Sequence, residues 1–268
     1  TLFRSSLWAF EFQGSLRQPN GMVAPKSYER TLQSLYEIAY SAGLGVRLIG
    51  ETQLDPGDPV GFAAQHPALI LHAYAASDEL LEFARAYAAA GGRLILPPRT
   101  GYVRLDGVMR TEVAPAGFAV VLGASYNEYS NLNEPVAAFD VSGNTIGAGY
   151  GWIDELELTA DSPASVLARL DHPFFGQFAA VAEAAHGAGS ITYLASYPDA
   201  ALSVWLGERL ARQIGHEQPV VSQASSVITN RAKTADGRDA YFVFNWSWQP
   251  AQLKFAKQLQ PVIDETPG

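Results

Sequence analysis

Short apolar runs alternate with amphipathic stretches over the first hundred residues of the chain. Four of these runs have the length and composition of buried strands: Leu7–Phe10, Val46–Ile49, Ala68–Leu71 and Leu94–Leu96. Behind Ser27, and again behind Ser77, apolar residues recur at helical spacing until glycines end the stretch. The pattern predicts strands and helices in alternation, which implies parallel pairing with right-handed crossovers.

The pattern changes after residue 101. Short strands and glycine-rich turns predict a meander over Tyr102–Thr159, and a helix is predicted over Ser162–Leu170. A strand at Ser190–Ala195 and a helix at Asp199–Ile214 follow, and after Gly215 the chain has only short strand patterns. We therefore predict an α/β, flavodoxin-like fold with a mostly parallel sheet and helices on both faces. A small antiparallel β domain follows it, so the predicted domains are residues 1–216 and 217–268.

Composition excludes several classes of protein. No apolar run approaches the roughly 18 residues that a membrane span needs, and the net charge of −9 opposes a nucleic-acid partner. The absence of cysteine excludes a disulfide framework and a thiolate nucleophile, and with it an active enzyme of the glutamine-amidotransferase type. No signal peptide opens the chain, so we expect a cytoplasmic protein. Because Thr1 is not a methionine, the true N-terminus is not visible.

Two residues at predicted strand ends are candidates for a ligand site. Doubly wound sheets bind ligands beyond the carboxyl ends of their strands, where Glu51 and His72 fall. A solvated loop carboxylate and a core-edge histidine are nevertheless the commoner roles for such residues. The histidines lack metal-binding spacing, and we expect neither a metal nor a cofactor. The glycines of Gly147–Gly151 fit a tight β-turn better than a phosphate loop, because no helix pattern follows them.

Aromatic residues near the C-terminus are a further signal. Trp246 and Trp248 share one side of a strand if the strand continues through them, and such a pair can stack on a sugar. A core or interface role is commoner for large aromatic residues.

Several local strings follow the order of elements in a known family. The most specific is Gly91–Leu96 with Arg99–Gly101, and the others are Leu7–Glu11, Tyr28–Arg30, Gly43–Val46, Ile191–Ala195, Arg231 and Tyr241–Ser247. These strings resemble the non-catalytic part of glycoside hydrolase family 42 β-galactosidases. The resemblance implies a flavodoxin-like trimerisation domain and a small C-terminal β domain, without the catalytic TIM barrel. The family's catalytic glutamates lie in that barrel, so the resemblance assigns no catalytic residue to this chain.

The resemblance also implies a role and its partners. It implies an oligomerisation and support segment of a homotrimeric β-galactosidase of carbohydrate metabolism, which meets copies of itself and its parent catalytic barrel. A galactoside would meet it only through the parent enzyme. Aromatic residues in loop-like contexts are the interface candidates: Phe12, Tyr126, Tyr129, Phe174 and Phe175. The alternative is a free-standing α/β sugar-binding protein or enzyme that uses the strand-end crevice near Glu51.

Overall fold

In the computed structural model, a nine-stranded mixed sheet carries helices on both faces. The structure describes residues 4–13, 16–216, 220–222, 226–256 and 258–260. The helices are α1 (Arg4–Gln13), α2 (Ser27–Ser41), α3 (Pro59–Gln65), α4 (Asp78–Ala89), α5 (Ala119–Leu122) and α6 (Ala200–Gln213), with a 3-10 turn at Glu51–Gln53. The first strands are β1 (Ala68–Ile70), β2 (Arg93–Leu96), β3 (Ala124–Ser125), β4 (Tyr129–Ser130), β5 (Val136–Asp140), β6 (Thr145–Asp154), β7 (Glu157–Leu158) and β8 (Ala164–Leu170). The others are β9 (Val181–His186), β10 (Gly189–Leu194), β11 (Ser196–Pro198), β12 (Val220–Ser222), β13 (Val227–Lys233), β14 (Asp239–Asn245) and β15 (Lys254–Phe255).

The large sheet has a parallel part and an antiparallel part. Its strand order is β1-β2-β10-β9-β8-β5-β6-β11, and β4 also pairs with β6. Strand β2 pairs in parallel with β1 on one side and with β10 on the other. The other pairs of this sheet are antiparallel, since the chain returns to it through hairpins such as β9–β10. The predicted α/β fold class is confirmed, and its parallel pairing is confined to β1, β2 and β10.

Two apolar cores cover the two faces of the sheet. Helix α4 packs on one face, where Tyr87 is buried with Leu94 and Leu96 of β2. Helices α1, α2 and α6 pack on the other face, where Ile38 is buried in the same core as Ile95. Alternate residues of β2 therefore enter opposite cores, as expected for a strand that is covered on both sides. This confirms the predicted helices on both faces.

Side-chain caps begin α3, α4 and α6. Ser77 accepts a backbone N–H from the first turn of α4, as predicted, and Asp199 does the same for α6. Helix α2 starts differently, because Ser27 is its first residue rather than its cap. The carboxylate of Glu11, on α1, accepts the N–H of Tyr28 at 2.6 Å instead. A charge from one helix thereby stabilises the positive end of the next.

Three predicted elements are wrong. Leu7–Phe10 is part of helix α1, whose buried positions recur three and four residues apart. Ser162–Leu170 contains strand β8 rather than a helix, and its C-terminal half alternates between buried and exposed residues. Val46–Ile49 forms no strand, and two of its apolar side chains are exposed. In each case an apolar run too short to show its period was assigned to the wrong conformation.

The glycines at residues 147–151 lie inside strand β6 and not in a tight turn, which corrects the prediction for them. Gly147 has a φ of 135°, and a Cβ atom there would lie 2.2 Å from the backbone nitrogen of Leu202. A Cβ on Gly149 would lie 2.5 Å from the hydroxyl oxygen of Ser196. The glycines therefore let the start of α6 and a neighbouring strand approach the backbone of β6 closely.

Beyond residue 216, the described residues form two small antiparallel sheets, β12–β15 and β13–β14. A turn at Asp236–Gly237 joins β13 and β14. Trp246 and Trp248 follow β14 rather than extending it, and both are exposed, so a core role for them is wrong. A boundary at residue 216 agrees with this change in architecture and stays a prediction.

Candidate functional site

An arginine enclosed by aromatic rings lies at the carboxyl end of β2. Arg99 adopts a left-handed backbone conformation (φ 59°), which costs a non-glycine residue about 1 kcal/mol. Its guanidinium carbon lies 3.7 Å from the ring centre of Tyr102 and 4.4 Å from that of Trp152. The rings of Tyr74 and Tyr129 are each 5.2 Å away. Cation–π attraction to these rings holds the guanidinium in place. We call these five residues the Arg99 cage.

A buried carboxyl group, that of Asp154, lies beside the Arg99 cage. The indole N–H of Trp152 and the hydroxyl of Tyr193 each donate to it at 2.7 Å. Burial raises the pKa of Asp154 to about 6, although these two hydrogen bonds and the charge of Arg99 act against the rise. The carboxyl group is fully buried, so it fixes the positions of Trp152 and Tyr193 through these hydrogen bonds.

Asp154→Asn is expected to remove a pH dependence of stability while keeping a hydrogen-bonding group in place. The folded-state pKa of Asp154 lies above the roughly 3.9 of an unfolded chain, so the fold favours the protonated form. The resulting stability is complete below about pH 4 and is lost as the pH rises through 6, a loss of about 3 kcal/mol. Urea unfolding at pH 4 and pH 8 measures the difference in the free energy of unfolding between the wild type and Asp154→Asn. If this difference is the same at both pH values, the charge on Asp154 does not matter.

Of the two predicted ligand residues, the structure describes the side chain of His72 only. His72 is buried, its ring stacks on Tyr28 with centres 4.5 Å apart, and its Nε2 lies 2.9 Å from the hydroxyl oxygen of Thr31. Glu51 begins the 3-10 turn, but its side chain lies outside the described residues. A cavity of about 300 Å³ beside His72 is lined mainly by apolar side chains. Such a lining offers few of the polar groups that orient a sugar, so we assign His72 to the core.

The five predicted interface residues differ in their exposure. Phe12 and Phe174 are largely exposed, and Tyr129 is exposed to a lesser degree. Phe175 is partly buried beside a histidine ring. Tyr126 is buried in the core of its own chain and is therefore not available to a second copy, which corrects the prediction for this residue. For the other four residues, an interface role stays a prediction.

Sequence reasoning did not single out the Arg99 cage. In the sequence, Arg99 stands out only as part of the Arg99–Gly101 string, and nothing distinguishes Asp154 from the neighbouring Glu155 and Glu157. The rings of the Arg99 cage come from segments far apart in the sequence, so no local sequence pattern predicts that they lie together. The available signal was a Pro-Pro-Arg sequence directly after a buried strand, at the sheet edge where functional groups gather.

Within the described residues, neither a metal site nor a membrane-spanning helix is present. No group of three or more His, Asp and Glu residues there is arranged to hold a metal ion. Nor does any helix there combine the length and the hydropathy that a membrane crossing needs.

The fold is that of an α/β domain, and its two buried charged residues at this site, Arg99 and Asp154, hold neighbouring side chains in place. A family model described as β-galactosidase trimerisation domain matches residues 4–216. The chain belongs to this family. A comparison with curated proteins gives no match.

Solved structures of β-galactosidases share the fold. The enzyme Gan42B from G. stearothermophilus superposes with a TM-score of 0.71 at 15% identity, over 88% of this chain and 33% of its own. The enzyme from Halorubrum lacusprofundi gives 0.69 at 20% identity, over 92% and 33%. The enzyme from Rahnella sp. R3 gives 0.69 at 21% identity, over 82% and 32%. The chain thus spans about a third of the length of these enzymes.

Proposed function

We propose that this chain is the non-catalytic self-association and support segment of a β-galactosidase, a glycoside hydrolase that acts on terminal β-D-galactosides. The match of the trimerisation-domain model over residues 4–216 carries the proposal. The enclosure of Asp154 agrees with it for this one residue, because a glycosidase needs carboxyl groups that reach the sugar and that of Asp154 is fully buried. In this proposal the catalytic glutamates belong to a barrel domain of the parent enzyme.

The proposal includes a division of the chain and a set of partners. Residues 1–216 form the trimerisation domain and residues 217–268 a small β domain, a division supported by the end of the matched model at His216. The partners are two further copies of this chain and the parent catalytic barrel, and a galactoside is met only through the parent enzyme. We place the protein in the cytoplasm.

Light scattering coupled to size exclusion tests the self-association. We expect a particle of three times the chain mass of 28.8 kDa, because the family model describes a trimerisation domain. The same sample should not hydrolyse a chromogenic β-galactoside above the background of an empty-vector preparation. A particle of one chain mass contradicts the role in assembly, and hydrolysis that follows the purified chain contradicts the non-catalytic role.

A further inference from the structure

We propose that residues 102–113 form the surface through which one copy of this chain contacts the next. The inference rests on the proposed self-association and adds the surface that it uses. These residues fold back on themselves, because Val103 bridges Met109 and the N–H of Arg104 donates to the carbonyl of Val108 at 2.8 Å. A turn at Gly107 closes the loop, with its N–H donating to the carbonyl of Arg104 at 2.9 Å. We call residues 102–113 the hairpin loop.

Apolar side chains of the hairpin loop face solvent. Four of them are more than half exposed: Leu105 (53%), Val108 (59%), Met109 (58%) and Val113 (61%). Single exposed apolar residues are ordinary on a protein surface, but a group of four in one short loop is not. Groups of this kind mark surfaces that a partner covers.

The hairpin loop is held firmly by the rest of the domain. Val103 is buried, and its N–H donates to the carbonyl of Tyr74 at 3.1 Å. The N–H of Arg110 donates to the carbonyl of Tyr102, whose ring covers the guanidinium of Arg99. The Arg99 cage therefore fixes the base of the loop. A surface that is already ordered loses little conformational entropy when a partner binds.

The charges of the hairpin loop balance. Arg110 lies 2.5 Å from the carboxylate of Asp78, and Arg104 lies 3.3 Å from that of Glu112. Residues 102–113 themselves carry two positive side chains (Arg104 and Arg110) and two negative ones (Asp106 and Glu112), and the neighbouring Asp78 adds one negative charge, whereas the whole chain carries a net charge of −9. Two chains with this net charge repel each other, but an approach through a loop whose charges nearly cancel brings few unpaired carboxylates together. The loop therefore suits a second copy of this same chain.

Three copies close into a ring by contacts between unlike surfaces. The hairpin loop of one copy then lies against a different surface of its neighbour. Tyr129 extends the loop surface, since its hydroxyl lies 3.4 Å from that of Tyr102 and its ring is partly exposed. An ordered tyrosine beside aliphatic side chains is typical of the residues that dominate binding energy at interfaces.

Charge placed in the hairpin loop tests the inference. The double variant Val108→Glu/Met109→Glu puts two carboxylates on the exposed side of the loop. The control, Val141→Glu, places a carboxylate on another exposed apolar residue (75%), in the turn between β5 and β6. We expect the double variant of the 268-residue chain to run at one chain mass, at concentrations at least a hundredfold above those at which the wild type dissociates. The control should stay trimeric, and all three proteins should give the same circular dichroism.

The outcomes separate this inference from the proposed function. A double variant that stays trimeric beside a trimeric wild type overturns the hairpin loop as the interface and leaves self-association standing. A control that dissociates as readily as the double variant also overturns it, because the effect is then one of added charge. A wild-type chain that runs at one chain mass at every concentration overturns both proposals.

A labelling experiment covers the case in which the double variant does not fold. Because the chain has no cysteine, Met109→Cys and Val141→Cys each introduce a single thiol. In the assembled protein we expect a maleimide to react at least tenfold more slowly at position 109 than at position 141. Equal rates at the two positions overturn the inference, since a thiol in an interface is shielded from the reagent.

Discussion

Gly207→Ala is expected to destabilise the chain by about 3 kcal/mol or more, even though alanine is the better helix former. Gly207 lies where α6 crosses α2. A Cβ atom at this position would lie 2.0 Å from the carbonyl oxygen of Ile38 and 3.1 Å from the Cβ of Ala42. The oxygen belongs to the backbone of a helix, so it moves only if the two helices separate. The gain in helix propensity, about 1 kcal/mol, does not offset this loss of packing.

Urea unfolding at one fixed protein concentration measures the effect of Gly207→Ala, since assembly makes stability depend on concentration. Gly45→Ala is the matched control, because a Cβ atom there meets nothing within 4 Å. The control should change the free energy of unfolding by less than about 1 kcal/mol. An unchanged unfolding midpoint for Gly207→Ala would falsify the close helix crossing.

Stability in acid is expected to depend on His72. Burial lowers the pKa of His72 to about 3, against roughly 6.5 in an unfolded chain, so the fold holds a neutral imidazole. Stability that is present above pH 6.5 is lost as the pH falls towards 3, in total about 5 kcal/mol. Between pH 7 and pH 4, the wild-type chain should lose about 3 kcal/mol more than His72→Gln does.

His72→Gln keeps a polar group close to the position of Nε2, where Thr31 lies, and it does not titrate. Urea unfolding at half-unit steps between pH 4 and pH 7 gives the two curves. Asp154→Asn serves as the internal comparison, because its effect relative to wild type has the opposite pH dependence. Parallel curves for the wild type and His72→Gln would mean that the buried imidazole accepts a proton without loss of stability.

The sequence predicts the helices that begin at a capping residue and carry a clear apolar stripe. Ser77 and Asp199 cap helices with a clear apolar stripe, so both helices and the class of the fold were predictable. Helix α1 is not predicted because its apolar run is too short to show a helical period, and β8 is not predicted because its short run was given the period of a helix. The antiparallel part of the sheet follows from pairings between segments, which a single sequence does not reveal.

The candidate site was less predictable than the fold. The Arg99 cage and the hydrogen bonds of Asp154 form between side chains that tertiary packing brings together, and the local spacing of residues does not predict these contacts. The aromatic residues chosen as interface candidates include Tyr126, which is buried, because a loop-like sequence context does not distinguish an inward ring from an outward one. For the same reason, the sequence does not show that the apolar side chains of the hairpin loop face solvent.

The parallel pairing of β2 with β1 and β10 has a consequence for the order of folding. Leu94 pairs with Leu69 on one side and with Ile191 on the other, about a hundred residues later in the sequence. During synthesis, one edge of β2 therefore stays unpaired until β10 has left the ribosome. Contacts of such long range make folding slow, and exposed strand edges favour aggregation. A nascent chain that stalls before residue 194 presents this edge to its neighbours, so chaperone dependence should end where β10 is complete.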